Sequence, residues 1–312
     1  MINKTVKIGG HELKGMWLAP MAGYTDVAFR ELCREYGAGL TVTEMVSVRG
    51  LVRDNAATTS LMRISETERP SCIQIFGSDP EDFKRAAGQL DCDIIDINMG
   101  CPMPKIVKNG DGAALLLNAE RAGQIVRALA ENTDKPITVK TRLGYHIGIT
   151  AAEELIESVK KAGASAVTVH GRFAEQRYTG FSDVAAAAEI ARRVSIPIIY
   201  NGDVTDAVLG NADSELNKNI GAFSGVAVGR FALENPAVFS GGRVEPVAYA
   251  RRLIEILVKY FDERYTINQA RKFFVHVFKG VSGGKTVRTA VNSASTVGEI
   301  FRALDIAERS AR

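Results

Sequence analysis

The stretch Asp93-Ile-Ile-Asp-Ile-Asn98-Met-Gly-Cys101-Pro-Met-Pro-Lys105 decides how the rest of the chain is read. Ile94, Ile95 and Ile97 form the β-branched run expected of a parallel strand covered on both faces. Gly100, Cys101 and two prolines, Pro102 and Pro104, then end it abruptly. A proline-stiffened loop that sets Asn98, Cys101 and Lys105 just past a buried strand displays side chains as well as turning the chain.

Seven further short apolar runs share that character, at residues 17–19, 40–43, 72–76, 137–140, 166–169, 198–200 and 225–228. Amphipathic segments separate them. Residues 26–36 place Val27, Phe29, Leu32, Cys33 and Tyr36 at helical spacing, and others open at Asp79-Pro80-Glu81-Asp82 or span 120–132, 151–162 and 184–194. Proline followed by acidic residues suits the first turn of a helix, where a missing N–H costs nothing and negative charge meets the positive dipole end. A less regular segment contains Leu51, Ala56 and Leu61, and residues 209–224 are polar enough to predict only a short seventh helix. Eight strands alternating with seven helical segments require parallel pairing, which predicts an α/β fold, a (β/α)8 TIM barrel. A doubly wound open sheet is the alternative. The first strand, however, runs into Pro20-Met21-Ala22-Gly23 and lacks the G-x-G-x-x-G fingerprint of that class.

After Gly241-Gly242 the strands cease. Residues 246–264, 267–279 and 296–306 read as helices, so residues 241–244 are expected to separate a barrel domain, 1–242, from a small helical domain, 243–312. Charge divides at the same place. Residues 243–312 hold 13 Lys and Arg against 7 Asp and Glu, whereas the first 242 residues are slightly acidic. A basic tail on an acidic body suits a polyanionic partner, although a solvated helical surface has the same composition. The whole chain is only +3, too little to announce nucleic acid by itself.

No apolar run is long enough to span a bilayer, and Met1-Ile-Asn-Lys4 does not open a signal peptide. A cytoplasmic protein without membrane contact is expected. Cys33, Cys72, Cys92 and Cys101 fit no metal-ligand spacing and read as reduced thiols. With only four histidines, no metal site is expected.

In a barrel of this kind the chemistry sits on the loops that follow the strands. There stand Pro20-Met21-Ala22, Glu44, Gln74, Asn98 and Cys101, Lys140 and Arg142, His170 and Arg172, Asn201-Gly202-Asp203, and Gly229-Arg230. Asn201-Gly202 and Val228-Gly229 offer backbone N–H groups to a phosphate from adjacent strand ends, with Arg230 as a charged donor. Either pair alone would pass for an ordinary turn. Lys140 ends a strand of Ile, Thr and Val, where an ammonium is costly without a partner and can meet a polarised carbonyl or a reduced flavin. His170, across the same mouth, is a candidate ligand-binding group, and Gln74 can hydrogen-bond a planar heterocycle.

Cys101 is the sharpest residue. The other cysteines lie among apolar neighbours, whereas Cys101 stands between Gly100 and Pro102 on the displayed face. It serves either as a nucleophile, which needs a base, or as a general acid, which must keep its proton. Residue types alone leave both open.

Seven motifs follow one another along the barrel portion. They are Leu-Ala-Pro-Met-Ala-Gly-Tyr-Thr-Asp (18–26), Thr-Glu-Met (43–45), Asp-Ile-Asn-Met-Gly-Cys-Pro (96–102), Thr-Val-Lys-Thr-Arg-Leu-Gly (138–144), Thr-Val-His-Gly-Arg (168–172) with Gln176, Tyr178 and Gly180, Asn-Gly-Asp (201–203) and Val-Gly-Arg (228–230). This series resembles the tRNA-dihydrouridine synthase family, and Lys279-Gly280 more loosely resembles the family's helical RNA-binding domain. The resemblance implies an FMN-bearing barrel that reduces the 5,6 double bond of particular uridines in tRNA, with NADPH or NADH as electron donor. Carried over motif by motif, Pro20, Met21, Ala22, Gln74, Lys140 and His170 would hold the flavin ring and ribityl chain. Asn201, Gly202, Asp203, Gly229 and Arg230 would hold the rest of the ribityl and its phosphate. Asn98, Arg142 and Arg172 would contact the target base or its nucleotide.

The same resemblance makes Cys101 the general acid. Hydride passes from flavin N5 to carbon 6 of the uracil and Cys101 protonates carbon 5, a role that needs the thiol form. A base within folded tRNA must be drawn out of its stack to be reached. The basic tail would bind phosphates without reading sequence, and clasping one large RNA suits a monomer. The chain departs from the family pattern at Val184, where an aromatic residue is usual, and across residues 209–224. Two alternatives stand beside this reading. A free-pyrimidine enzyme like dihydroorotate dehydrogenase leaves the basic tail without a purpose, and a non-catalytic RNA-binding barrel leaves Cys101, Lys140 and His170 without one.

Overall fold

The computed structural model describes residues 4–311. All eight strands expected from the sequence are present, at Met16–Leu18, Leu40–Thr41, Cys72–Phe76, Ile94–Asn98, Ile137–Arg142, Ala164–His170, Ile198–Asn201 and Gly225–Val228. Every neighbouring pair is parallel. One further strand of this sheet, Val46–Ser47, was not anticipated and pairs with Cys72–Phe76. It resumes the path of Leu40–Thr41 after an interruption. There Val42 bridges Cys72 in parallel and Thr43 N–H donates to the Cys72 carbonyl at 3.1 Å, which closes the ring. The ladder breaks at Thr43 because its hydroxyl, rather than a backbone carbonyl, accepts the N–H of Gln74 at 2.9 Å. The TIM-barrel reading is borne out, with the second strand in two pieces.

Alternate residues of each strand face opposite sides of the sheet. Ile95 and Ile97 join the large core beneath the helices, with Leu32, Phe83, Ile125 and Leu155. Ile94 instead joins a smaller core inside the barrel, with Trp17, Leu40, Cys72, Ala166, Ile199 and Ala227. An antiparallel hairpin, Thr5–Ile8 with His11–Lys14, adds Val6, Ile8 and Leu13 to that inner core. Toward the strand ends the inward positions turn polar. That change defines the site.

The outer helices begin where their caps place them. Asp26 accepts from Phe29 N–H at 3.0 Å, Asn118 from Arg121 N–H at 2.9 Å and Asp183 from Ala186 N–H at 2.8 Å. Residues 209–224 fall in a stretch of two five-residue helices, Asp206–Gly210 and Glu215–Asn219, and a 3-10 turn, as their polarity predicts. Beyond the left-handed Gly241 (φ 75°) come helices Pro246–Tyr260, Glu263–Val277, Gly284–Ser293 and Val297–Ala311. The expected continuous helix 246–264 stops at Phe261, because Asp262 caps a new one by accepting from Tyr265 N–H at 2.7 Å. The helix Gly284–Ser293 was not expected from the sequence. These helices bury Leu253, Leu257, Phe273 and Phe274 in the same core as Phe29 and Leu32 of the barrel. Among the described residues no helix is long and apolar enough to cross a membrane.

Candidate active site

Parallel register lays the polar residues of the barrel mouth side by side. Gln74 pairs with Asp96 and Asp96 with Thr138; one tier higher, Asn98 pairs with Lys140 and Lys140 with Thr168. The Asp96 carboxylate accepts from Thr138 Oγ1 at 2.6 Å and from Gln74 Nε2 at 2.7 Å. Gln74 Oε1 accepts from Asn98 Nδ2 at 3.0 Å. Asn98 Oδ1 in turn accepts the N–H groups of Gly100 at 3.2 Å and Cys101 at 2.9 Å. On its other side the Cys101 carbonyl accepts from Ala113 N–H at 3.0 Å. Gly112 (φ 60°) makes this approach possible, since a Cβ there would lie 2.8 Å from the Cys101 oxygen. The loop is held through its backbone, and Cys101 is half-exposed while Cys33, Cys72 and Cys92 are buried.

The Lys140 ammonium has no hydrogen-bond or ion-pair partner among the described residues, although the side chain lines a cavity with Trp17, Ala19, Pro20, Asp96 and Thr168. Burial pushes its ammonium down to about 8, helped by Arg142 and opposed by Asp96 and Cys101. Burial also raises the Asp96 carboxyl above its ordinary range, against the bonds from Thr138 and Gln74 and the charge of Lys140. The pair defines a polar floor beneath an open mouth.

Around the rim lies a cationic cluster. His170 is held well below its ordinary range by burial and by Lys140, Arg142, Arg172 and Arg230. Its Nε2 lies 3.2 Å from Arg172 Nη1, which can only donate, so Nε2 accepts and the ring proton sits on Nδ1. Arg172 is only 2% exposed and reaches both oxygens of Asp203, at 2.9 and 2.7 Å, and the Gly180 carbonyl at 2.8 Å. Arg142 is likewise buried and donates to the carbonyls of Gly100 at 2.9 Å, Phe173 at 3.1 Å and Arg177 at 2.8 Å. Asp203 would be raised by burial, but its bonds from Arg172 and Ser182 N–H hold it below the ordinary carboxylate range. Arg230 is more exposed and lies 3.3 Å from Asp203 through Nη2.

The two loops expected to bind phosphate follow neighbouring strands, Asn201 pairing with Ala227. Gly202 (φ 136°) passes so near Ser182 that a Cβ would meet its side chain at 2.7 Å. The N–H groups of Gly202 and Gly229 donate to no protein acceptor among the described residues. A Cβ on Gly229 would lie 3.9 Å from Met21 Sδ, so the loops after the first and last strands meet. Met21 also anchors its own turn, its carbonyl accepting from Tyr24 and Thr25 N–H, both at 3.0 Å. Ala22 is exposed beside it, and Asn201 Nδ2 donates to the Ala227 carbonyl at 2.8 Å.

All three residues given substrate roles bond to the protein itself: Asn98 to the Cys101 loop, Arg142 to the carbonyls of Gly100, Phe173 and Arg177, and Arg172 to Asp203 and His170. Two others received no role from sequence. Asp96 belongs to a motif, but nothing in the sequence shows that it ends a hydrogen-bond chain. Tyr178, likewise a motif residue without a role, stands between the guanidiniums of Arg142 and Arg230, 5.6 and 5.2 Å from its ring centre.

A parallel barrel whose mouth joins an unpartnered lysine, a displayed thiol and two free N–H groups beside an arginine is the scaffold of a cofactor-dependent enzyme. Solved structures share the fold: a morphinone reductase in complex with tetrahydroNAD (TM-score 0.54, 13% identity, 78% of this chain and 92% of that one) and a 2-naphthoyl-CoA reductase (TM-score 0.54, 12% identity, 77% and 51%). Sequence relatives are closer. Proteins named probable tRNA-dihydrouridine synthase from Aquifex aeolicus and Mycobacterium tuberculosis are 32% and 34% identical, covering 93% and 96% of this chain and 95% and 84% of theirs. The dihydrouridine synthase family model matches residues 17–311. The chain belongs to the dihydrouridine synthase family.

Proposed function

We propose that this protein is a tRNA-dihydrouridine synthase, which uses FMN and NADPH to reduce the 5,6 double bond of uridines in tRNA. The observation that carries the reading is the placing of a partnerless Lys140 and a displayed Cys101 at one barrel mouth, with free N–H groups at Gly202 and Gly229 on its rim. FMN fits these residues. Gly202, Gly229 and Arg230 would take its phosphate, Lys140 and the Nδ1–H of His170 the polar edge and side chain, and Pro20, Met21 and Ala22 one border of the ring. Bound there, FMN supplies hydride to carbon 6 of the uracil.

Cys101 supplies the proton to carbon 5 from Sγ. Arg142 fixes the Gly100 carbonyl beside it, and its guanidinium stays charged at neutral pH although burial pushes it down to about 10. The C-terminal helices, residues 243–312, which share the barrel's outer core, would bind the tRNA, and the enzyme works as a cytoplasmic monomer. The purified protein should show flavin absorbance that NADPH bleaches, and with unmodified tRNA it should produce dihydrouridine measurable by nucleoside mass spectrometry. Flavin-loaded protein that reduces a free pyrimidine but leaves tRNA untouched would overturn the reading.

A further inference from the structure

Four side chains form one hydrogen-bonded line across adjacent strands: Thr138, Asp96, Gln74 and Asn98, ending on the N–H groups of Gly100 and Cys101. The end at the loop has fixed polarity. The two backbone N–H groups can only donate, so Asn98 must present its oxygen to them and its NH2 to Gln74. Gln74 must then present oxygen to Asn98 and NH2 to the next partner. The line is satisfied only if that partner accepts, and the partner is Asp96 at 2.7 Å. All four side chains are buried, where an unmatched amide is costly.

We propose that Asp96 is a positioning residue for the proton donor: by accepting from Gln74 it fixes both amides and so holds the Cys101 loop, acting through Gln74 and Asn98 without touching substrate. This rests on the proposed function only for the step it serves. The hold on the loop is a property of the chain alone. Without an acceptor at position 96, the Gln74 NH2 is left unpaired in the buried line and Gln74 turns away from Asn98. Asn98 then loses the bond that holds its NH2 in place, and its grip on the loop is released.

Two variants separate the acceptor from the negative charge. Asp96→Asn and Asp96→Leu both remove the charge beside Lys140. Only Asn can still offer an oxygen to Gln74, its NH2 then donating to the Thr138 hydroxyl. In the FMN-loaded protein without tRNA, hydrogen exchange of the peptide holding Gly100 and Cys101 should be within about twofold of wild type for Asp96→Asn and at least about tenfold faster for Asp96→Leu. With tRNA, reoxidation of the reduced flavin should fall about tenfold or more in Asp96→Leu alone, while reduction by NADPH should change equally in both variants. Equal exchange in the two variants, whether both protected or both released, overturns the inference.

Should Asp96→Leu fail to fold, an isosteric pair replaces it. Asn98→Asp traps Gln74 between two carboxylates and should slow reoxidation by tRNA about tenfold. Adding Asp96→Asn reverses the line and should recover most of that loss, and a double variant no faster than Asn98→Asp overturns the proposal. If wild-type protein forms no dihydrouridine, the functional reading fails, yet the exchange measurement still decides the positioning role.

Discussion

The phenol oxygen of Tyr24 lies 3.3 Å from Nε2 of His276, joining the first barrel loop to a helix 252 residues further on. The contact is one of several. Phe273 meets the Tyr24 ring edge-on at 5.5 Å, and the Lys272 ammonium stands 4.8 Å from the ring centre while donating to the Gly23 carbonyl. Tyr24 N–H is bonded to Met21, so the helix Glu263–Val277 braces the loop that would border the flavin. Lys272→Ala removes a cation–π contact and a hydrogen bond, and should lower unfolding free energy by about 1–2 kcal/mol in urea titrations. FMN affinity should weaken with it.

The same brace carries a pH dependence. Burial and Lys279 hold His276 below its ordinary value of 6.5, with Glu234 opposing. A base depressed on folding contributes stability that is present above its unfolded value and lost as pH falls through the folded one. Wild type should therefore lose stability below about pH 6.5, and His276→Gln, which does not titrate, should lose less. Urea midpoints at pH 5 and pH 7.5 check this, and parallel losses in the two proteins would rule it out.

Cys101→Ala should keep FMN, because the loop is held through backbone groups and Asn98 rather than through the thiol. NADPH should reduce this variant at the wild-type rate. Dihydrouridine formation should fall by about 100-fold or more, the usual contribution of a positioned acid. Stopped-flow measurement of the two half-reactions separates these outcomes, and an unchanged tRNA step would remove Cys101 from the chemistry.

How legible the site was in the sequence follows from the reach of each signal. Ile94, Ile95 and Ile97 announce a buried strand by residue type alone, and all three are fully buried. Asn201-Gly202 and Gly229-Arg230 were legible because a turn after a strand is a local event. Val46–Ser47 was not, since two residues carry no period and the side chain of Thr43, not a glycine or proline, makes the break. The N-terminal hairpin was legible and overlooked: Val6, Ile8 and Leu13 alternate with polar residues about Gly9-Gly10. The engagement of Asn98 and Arg172 lay out of reach. It depends on the pairing of Gln74 with Asp96 and the approach of Asp203 across 31 residues, neither of which spacing records.

Asp26 offers a second titration, of opposite sign. Burial raises its carboxyl to about 6, with Glu44 adding to the shift and Phe29 N–H, Arg30 and Tyr265 opposing it. An acid raised on folding binds more protons in the folded state between its unfolded value and about 6, so stability falls as pH rises through that window. Keeping this carboxylate ionised at neutral pH costs about 3 kcal/mol at most. Asp26→Asn keeps an oxygen for Phe29 N–H and removes the charge. Relative to wild type it should gain stability between pH 5 and pH 8, and a constant offset would refute the assignment.

The basic tail divides into cations that hold the fold and cations free to meet RNA. Arg271 donates to the Ala294 carbonyl at 2.9 Å, Lys272 to Gly23, and Lys279 pairs with Glu234 at 2.8 Å. Reversing their charge disturbs packing as well as any phosphate binding. Arg264 and Lys285 are exposed and have no ion-pair partner among the described residues. Arg264→Glu with Lys285→Glu should leave the thermal midpoint within a degree or two, roughly the size of a neutral surface change. tRNA affinity should drop, and the slope of log affinity against log salt should shrink by about one for each phosphate no longer neutralised. Unaltered affinity and slope would mean that these two cations do not meet tRNA, while flavin reduction by NADPH, which needs no RNA, serves as the control for intact protein.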